Sequence, residues 1–448
     1  MNHSNSGAAD SDRSATPTKV YRVRSSRARH LLTFLMVFGP GLIVMEADND
    51  AGAVSTYVEA GAVYGKELLW MMLVLLPATY FIQEMVVRLG IATGQGHAAM
   101  IFRRFGKWWG AFSLVDLLIV NFLTLVTEFA AISLALDALG VSKYASVPVA
   151  ALGLILMVVT GSYCRWERIA IVLCLCDVLW FFMAWAGHPS VLRIVSNTLL
   201  PHIPSGPGVP DAGHMTPKLI FLVIAIVGTT IAPWQLFFQQ SCVADKRLRF
   251  ADLKWARLDT FIGACFTVLV AGAMMLVGDI AFRHGLEFKD PAKMAEQLGS
   301  TMGKLLSIGL PLMMVNAAML GTTAISLSSA WAWGEVKGWP HSLQKKFREA
   351  PGFYGSYALG VVAAAAIVLI PRFPEQVVIL GVQVLAGVML PSAIIFLQLL
   401  LNDKELLGEE FANRPWSNWV NWTIIIILFA LSLILAVQVI FPEWFPGA

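Results

Sequence analysis

The chain has 448 residues, 57% hydrophobic and only 14% charged, with a mean hydropathy of +0.69. A soluble globular domain does not have this composition; a polytopic helical membrane protein does. The net charge of +3 gives no basis for nucleic-acid binding, so the information lies in where the charges fall.

Residues 1–30 are rich in Ser, Asp and Arg and poor in apolar side chains, which predicts a disordered tail without a cleavable signal pattern. Apolar runs long enough to cross a bilayer follow near 31–60, 67–88, 110–138, 145–163, 167–187, 217–243, 258–282, 305–335, 353–371, 374–402 and 418–441. These make eleven predicted spans. The first is interrupted: within GPGLIVMEADNDAGA, from Gly39 to Ala53, Glu46, Asp48 and Asp50 fall inside the apolar run. Carboxylates at membrane depth are costly unless they face a cavity, a partner or a cation. The flanking glycines, Pro40 and the run Asp48–Gly52 do not favour an unbroken helix. The expectation is a helix broken at mid-depth, with carboxylates and freed carbonyls facing inward, which is how transporters hold small cations.

The sixth run is interrupted too, at Gly228–Gln235, where Pro233 removes a backbone donor and clashes with the preceding turn. Breaks at corresponding places in two five-span halves point to a midplane site in an inverted-repeat transporter. Because five is odd, the halves insert with opposite orientation. The lysines and arginines support one topology: with the tail inside, 23 of the 32 lie on inner segments. That predicts a cell-membrane protein with a cytoplasmic N-terminus and, after an odd number of spans, an extracellular C-terminus.

Smaller features are read as structural. The five cysteines lie in or beside apolar runs without CxxC spacing, as packing residues or free thiols. Asp116, Asn121 and Asp177 are read as helix-end or inter-helix contacts, and Trp331 with Trp333 as an interfacial anchor. Asn421-Trp-Thr423 matches the glycosylation pattern by chance, at the start of a span.

At this point a resemblance emerges. Gly39-Pro-Gly41, Asp50 to Gly52, Ala60-Gly-Ala-Val-Tyr-Gly65 and Arg88-Leu-Gly-Ile-Ala-Thr-Gly94 resemble the first two helices of NRAMP divalent-metal transporters. So do Ala232-Pro233, Leu390-Pro-Ser-Ala393 and Asn402-Asp-Lys-Glu-Leu-Leu-Gly408 around the sixth and tenth helices. The resemblance runs in order from about residue 31 to 440. It implies an all-α fold of LeuT type, a 5+5 inverted repeat with broken helices 1 and 6, plus an eleventh helix. The expected division is a tail 1–30, a first repeat 31–187, an extracellular loop 188–216, a second repeat 217–402, and 403–448 as a cytoplasmic loop with the last helix.

The departures from the family are informative. Its first-helix motif Asp-Pro-Gly-Asn is Asp50-Ala51-Gly52-Ala53 here, and its sixth-helix Met-Pro-His is Ala232-Pro233-Trp234, followed by Gln235. The Asp remains, while the Asn amide and the Met sulfur are absent. A site of oxygen ligands, enlarged by two alanines, suits Mg²⁺ with part of its water shell and still admits Mn²⁺. The family His is Trp234, which does not titrate. In the motif Thr127-Glu128-Phe-Ala-Ala131 the second acidic residue is Ala131, and the ninth-helix arginines are missing from Tyr354–Ile370. This pattern resembles the NRAMP-related magnesium transporters, a branch implied to move Mg²⁺ without proton symport.

The candidate metal residues are therefore Asp50, Ala53, Thr229, Ala232, Gln235, Gln383, Asp48, Glu46 and Trp234. Asp50 is a direct or water-mediated ligand, a role compatible with capping the second half-helix. Gln235 and Gln383 offer amide oxygens, although a helix–helix hydrogen bond serves equally well for Gln235. Thr229 offers its backbone carbonyl. Asp48 and Glu46 line a vestibule, or Glu46 shares a helical face with Asp50, four residues on. Trp234 walls the cavity or packs, and Glu128 lines an aqueous path or is a buried structural partner.

The function expected is that of a secondary transporter of Mg²⁺ and Mn²⁺ working by alternating access, with the ion as cargo, no cofactor, the lipid bilayer as surroundings and no obligate protein partner. A proton-coupled Mn²⁺/Fe²⁺ transporter is the alternative. A carrier of organic solutes on the same fold has no need of the first-break carboxylates. A membrane-embedded metalloenzyme lacks a zinc motif or a nucleophile–base pair, so no enzymatic activity is expected.

Overall fold

The computed structural model describes residues 37–440, apart from 160 and 211. The predicted tail and the first residues of the first span lie outside these. Seventeen α-helices run through the described residues, with no strand among them. The interrupted first span is α1 (Pro40–Ala47) and α2 (Ala51–Tyr64); α3 (Trp70–Thr93), α4 (His97–Ala138) and α5 (Lys143–Val159) follow. The fifth span is α6 (Tyr163–Cys176) with α7 (Leu179–Ala186), and α8 (Val191–Leu199) lies in the long loop. The interrupted sixth span is α9 (Pro217–Thr230) and α10 (Pro233–Lys246). Then come α11 (Leu253–Arg283), α12 (Pro291–Met302), α13 (Lys304–Lys337), α14 (Pro351–Val368), α15 (Glu375–Leu401), α16 (Lys404–Phe411) and α17 (Pro415–Ile440).

Among the described residues nine helical segments are long and apolar enough to cross a membrane. With the shorter α5 and the pair α1/α2 they account for the eleven predicted spans. The boundaries differ where charge hides helix. The third span was expected from residue 110, yet α4 begins at His97, because its first turns carry Arg103, Arg104 and Lys107. Gly106, at φ 83°, bends this basic stretch away from the span, a conformation that favours glycine.

The packing partners come in pairs related by exchanging one half of the chain for the other. The third span packs on the eighth and the second on the seventh. The second half of the first span packs on the seventh, and the second half of the sixth on the second. The third packs on the fourth as the eighth does on the ninth, and α9 on the tenth as α1 does on the fifth. An inverted repeat produces this correspondence, and it places the two breaks side by side at the centre.

Glycine permits the closest of these contacts. A Cβ on Gly61 would stand 2.8 Å from the Met275 carbonyl carbon, and one on Gly278 2.8 Å from the Ala62 nitrogen. Small residues let membrane helices approach backbone to backbone. Replacing Gly278 by Val should therefore separate α2 from α11, destabilise the protein by at least the about 1–3 kcal/mol that overpacking normally costs, and lower its thermal midpoint. Size-exclusion fluorescence after detergent extraction would report it as loss of the monodisperse peak.

At the residue-37 end the first span is tied down. Asp259 of α11 accepts from the backbone nitrogens of Gly41 at 2.7 Å, Gly39 at 3.3 Å and Leu42 at 3.3 Å, capping a helix start with no side-chain cap of its own. Lys246 donates to the Val37 and Phe38 carbonyls and to Glu167 at 2.6 Å. The interfacial reading of Trp331 fails: it is 1% exposed and packs between Phe238 and Phe353, because α14 covers that face of α13. Trp333, part-buried, has Lys337 over its ring. Asn121 and Asp116 make the expected inter-helix contacts, to Ser329 and Ser392. All five cysteines are free thiols.

Candidate metal centre

The first break forms because α1 stops at Ala47 and Asp48 serves as its C-cap. Asp50 is extended, at φ −67° and ψ −176°, and its Oδ1 accepts from the Ala53 nitrogen at 2.8 Å. Capping thus fixes where the Asp50 carboxylate stands, at the positive end of α2. In the second break Ile231 and Ala232 are extended and Pro233 opens α10. Having no N–H, Pro233 leaves the Thr229 carbonyl without its helical donor. Each break thereby offers backbone or carboxylate oxygen that regular helix would have consumed.

All nine predicted residues are buried, none more than 5% exposed. Gln383 is brought to the first break: a Cβ on Gly52 would occupy the space of its side chain, and its Nε2 has no partner. Asp48, 2% exposed, leaves Oδ1 without a hydrogen bond and stands beside Gln235. Gln235 makes the helix–helix contact: its Oε1 accepts from Gln83 Nε2 at 2.8 Å. The oxygen expected for an ion is engaged, and its Nε2, beside Asp48, has no partner. Trp234 packs edge-on against Phe238 with its indole N–H unpartnered, so it both packs and leaves a free donor.

Glu46 corrects one expectation. It does not share a helical face with Asp50, because the helix ends between them. Its Oε1 accepts from Thr267 of α11 at 2.6 Å.

Glu128 is the residue that the list of candidates omitted. Its Oε2 accepts from the Ala51 nitrogen at 3.2 Å and Oε1 is unpartnered. Its carboxyl lies within hydrogen-bonding reach of Asp50, and both face Gly321, where a Cβ would be 2.9 Å from Asp50 Cβ and 3.2 Å from Glu128 Cδ. The signal was the Thr127–Ala131 motif, but nothing local says that α4 runs past the first break.

Unpartnered polar atoms cluster on the same elements: Thr229 Oγ1, Thr322 Oγ1 and Ser326 Oγ besides those named. Buried polar atoms are normally paired, and a concentration of orphans marks a place where water or a hydrated ion completes the bonding. Among the described residues no three His, Cys, Asp or Glu side chains converge as a metal cage. These are buried polar groups with few charges among them, a set suited to transient occupancy.

Comparison with known proteins bears on this geometry. The family model described as natural resistance-associated macrophage protein-like (Nramp) matches residues 41–438. The divalent metal cation transporter MntH of Staphylococcus aureus is 26% identical, with 93% of each chain covered. A manganese transporter of Eremococcus coleocola superposes with a TM-score of 0.74 at 18% identity, covering 96% of this chain and 91% of that one. MhsT, solved with L-phenylalanine, superposes at 0.55 with 13% identity, covering 91% and 98%. The fold is therefore the LeuT-type architecture, with breaks in the first and sixth spans.

Proposed function

We propose, since the chain belongs to the Nramp family, that it is a secondary transporter that moves divalent cations across the cell membrane by alternating access, without catalysing a reaction. The cargo in this reading is Mg²⁺ with part of its hydration shell, with Mn²⁺ also accepted and no proton carried along. One observation carries the reading: the Asp50 carboxylate, capped at the head of α2, faces a group of unpartnered oxygens and amides with no thioether and no histidine among them. Mg²⁺ demands oxygen ligands, dehydrates reluctantly and is usually held by one or two carboxylates with waters retained. Ala53 and Ala232 leave room for those waters. Two charges crossing ~100 mV gain roughly 4.6 kcal/mol, which is ample to drive uptake without a coupling ion.

A second reading, proton-coupled Mn²⁺ or Fe²⁺ transport, is favoured by Glu128 standing within hydrogen-bonding reach of Asp50. Two carboxyls so close share a proton unless a cation separates them, and a metal entering would release it. The MntH and manganese-transporter relatives fit this reading equally well.

One assay separates them. Proteoliposomes at an inside-negative potential, with a pH-sensitive dye in the lumen, should show saturable Mg²⁺ entry and no acidification. Acidification that follows Mg²⁺, and that disappears in Glu128→Gln, would establish the coupled reading. Entry of Mn²⁺ without Mg²⁺ would return the protein to transition-metal transport.

The repeats in this reading are 31–187 and 217–402, with the N-terminus in the cytoplasm. The latch of Lys246 on Val37, Phe38 and Glu167 then closes the cytoplasmic side and must open for release.

A further inference from the structure

Where α3 meets the starts of α11 and α17, the three helices border a pocket of about 500 Å³ with polar and aromatic lining. Arg88, Arg257 and Arg414 stand against Glu84 and Glu410 there, which leaves one positive charge in excess. Arg88, 7% exposed, is fixed in place: Nη1 donates to the Phe411 carbonyl at 2.8 Å and Nη2 to Asn413 Oδ1 at 2.7 Å. Its Nε has no partner, although buried polar atoms are normally paired. Glu84 is taken up by Arg88 at 3.2 Å and by Arg257 at 2.7 Å. Arg414 is exposed, and among the described residues its guanidinium makes no ion pair or hydrogen bond.

A second cavity, of about 400 Å³, adjoins the first, and Phe81 lines both. It is a groove of apolar side chains, with Val74 and Ala78 on α3, Val227 on α9 and Trp419, Ile424 and Ile427 on α17. From Phe81 to Trp70 the groove follows α3 for eleven residues, about 16 Å at 1.5 Å per residue. That is the depth of one leaflet in a hydrocarbon core of ~30 Å. Phe81 packs edge-on against Trp416, ring centroids 5.8 Å apart, where the polar pocket gives way to the groove. Val74, Trp419 and Ile427 are each more than half exposed, so the groove is open along its outer rim.

We infer that this composite site binds one anionic phospholipid, its phosphodiester held by Arg414 and Arg257 in the polar pocket and an acyl chain in the groove between α3 and α17. Arginine suits the phosphate, because its planar fork donates two parallel bonds to the oxygens. One positive charge in excess matches a headgroup of net charge −1 better than a zwitterionic one. The adjoining groove selects a lipid over a free phosphate ester, which would leave the apolar half of the site unused. In the orientation proposed above these helix ends face the cytoplasm, the side on which anionic lipids set up a negative surface potential. The site is separate from the ion path: the lipid joins α3 and the start of α11 to the last span, and so braces that span against the two repeats.

The test is native mass spectrometry of the purified full-length protein titrated with dioleoylphosphatidylglycerol, with dioleoylphosphatidylcholine and with glycerophosphoglycerol, the headgroup without its chains. The phosphatidylglycerol should bind one per chain at concentrations where neither of the others does. Arg414→Gln, at an exposed and unpaired position, should weaken it about fivefold, which is ~1 kcal/mol per arginine near an anionic surface at 1.4 kcal/mol per tenfold. Val74→Trp narrows the groove from its exposed rim and should also weaken the lipid. Ile427→Trp does the same from α17 and covers the case in which that variant is not monodisperse. Equal binding of phosphatidylcholine would overturn the anionic assignment. Glycerophosphoglycerol binding as tightly as the lipid would reduce the site to an anion pocket and overturn the lipid. Unchanged affinity in Arg414→Gln would remove the headgroup from the polar pocket, and unchanged affinity in both groove variants would remove the chain from the groove; either result overturns the proposal.

Discussion

Mg²⁺ uptake by Asp50→Ala proteoliposomes should fall to the level of protein-free vesicles, and uptake by Asp50→Asn should fall with it. The second variant gives the experiment its force. Asn caps a helix as well as Asp does, so Asp50→Asn preserves the acceptor for the Ala53 nitrogen and with it the shape of the break. It removes the charge alone. If Asp50 served only as a cap, the Asn variant would transport normally and the Ala variant would lose about 1 kcal/mol of stability. If Asp50 holds the ion, taking away one partner of a buried charge pair costs roughly 3–5 kcal/mol, or about 10²- to 4 × 10³-fold in affinity at 1.4 kcal/mol per tenfold. Uptake measured with a Mg²⁺-sensitive luminal dye, alongside the elution profile of each variant, distinguishes the two. Undiminished flux through Asp50→Asn would remove the carboxylate from the site.

The breaks were legible because they violate local rules. A chain does not place three acidic residues and a Pro233 inside apolar runs without a compensating arrangement, and the positions of Asp48, Asp50 and Pro233 located both interruptions before any contact was known. Long-range proximity was not legible. Glu128 lies in an ordinary helical stretch of α4, and its approach to Asp50 depends on α4 packing along α13 and past the start of α2. Trp331 failed for the same reason: an aromatic near a span end looks interfacial until α14 is seen to cover it. For Glu46 one of the two alternatives, the face shared with Asp50, fails because it carries helical periodicity across a break that the same stretch announces. Asp177 was read as an ordinary polar contact, which its bond to Asn316 is.

Ala232→Met should raise transport of Cd²⁺ relative to Mg²⁺ by at least ~10-fold, equivalent to about 1.4 kcal/mol. Ala232 is extended, at φ −96° and ψ 146°, as residues before proline prefer, and it stands at the mouth of α10 in the second break. A side chain added there enters the space between the breaks, where the NRAMP resemblance places a methionine. Its thioether is a soft ligand, which Cd²⁺ accepts and Mg²⁺ does not. The same side chain takes volume that alanine leaves to the waters a Mg²⁺ ion retains. Ala232→Leu separates these effects. Leucine matches methionine in volume but brings no sulfur, so it should lower Mg²⁺ flux without raising that of Cd²⁺. Competition of Cd²⁺ and Mn²⁺ against Mg²⁺ uptake in the three proteins reads out both. Equal selectivity in the Met and Leu variants would mean that volume, and not the missing thioether, sets the preference for a hard ion.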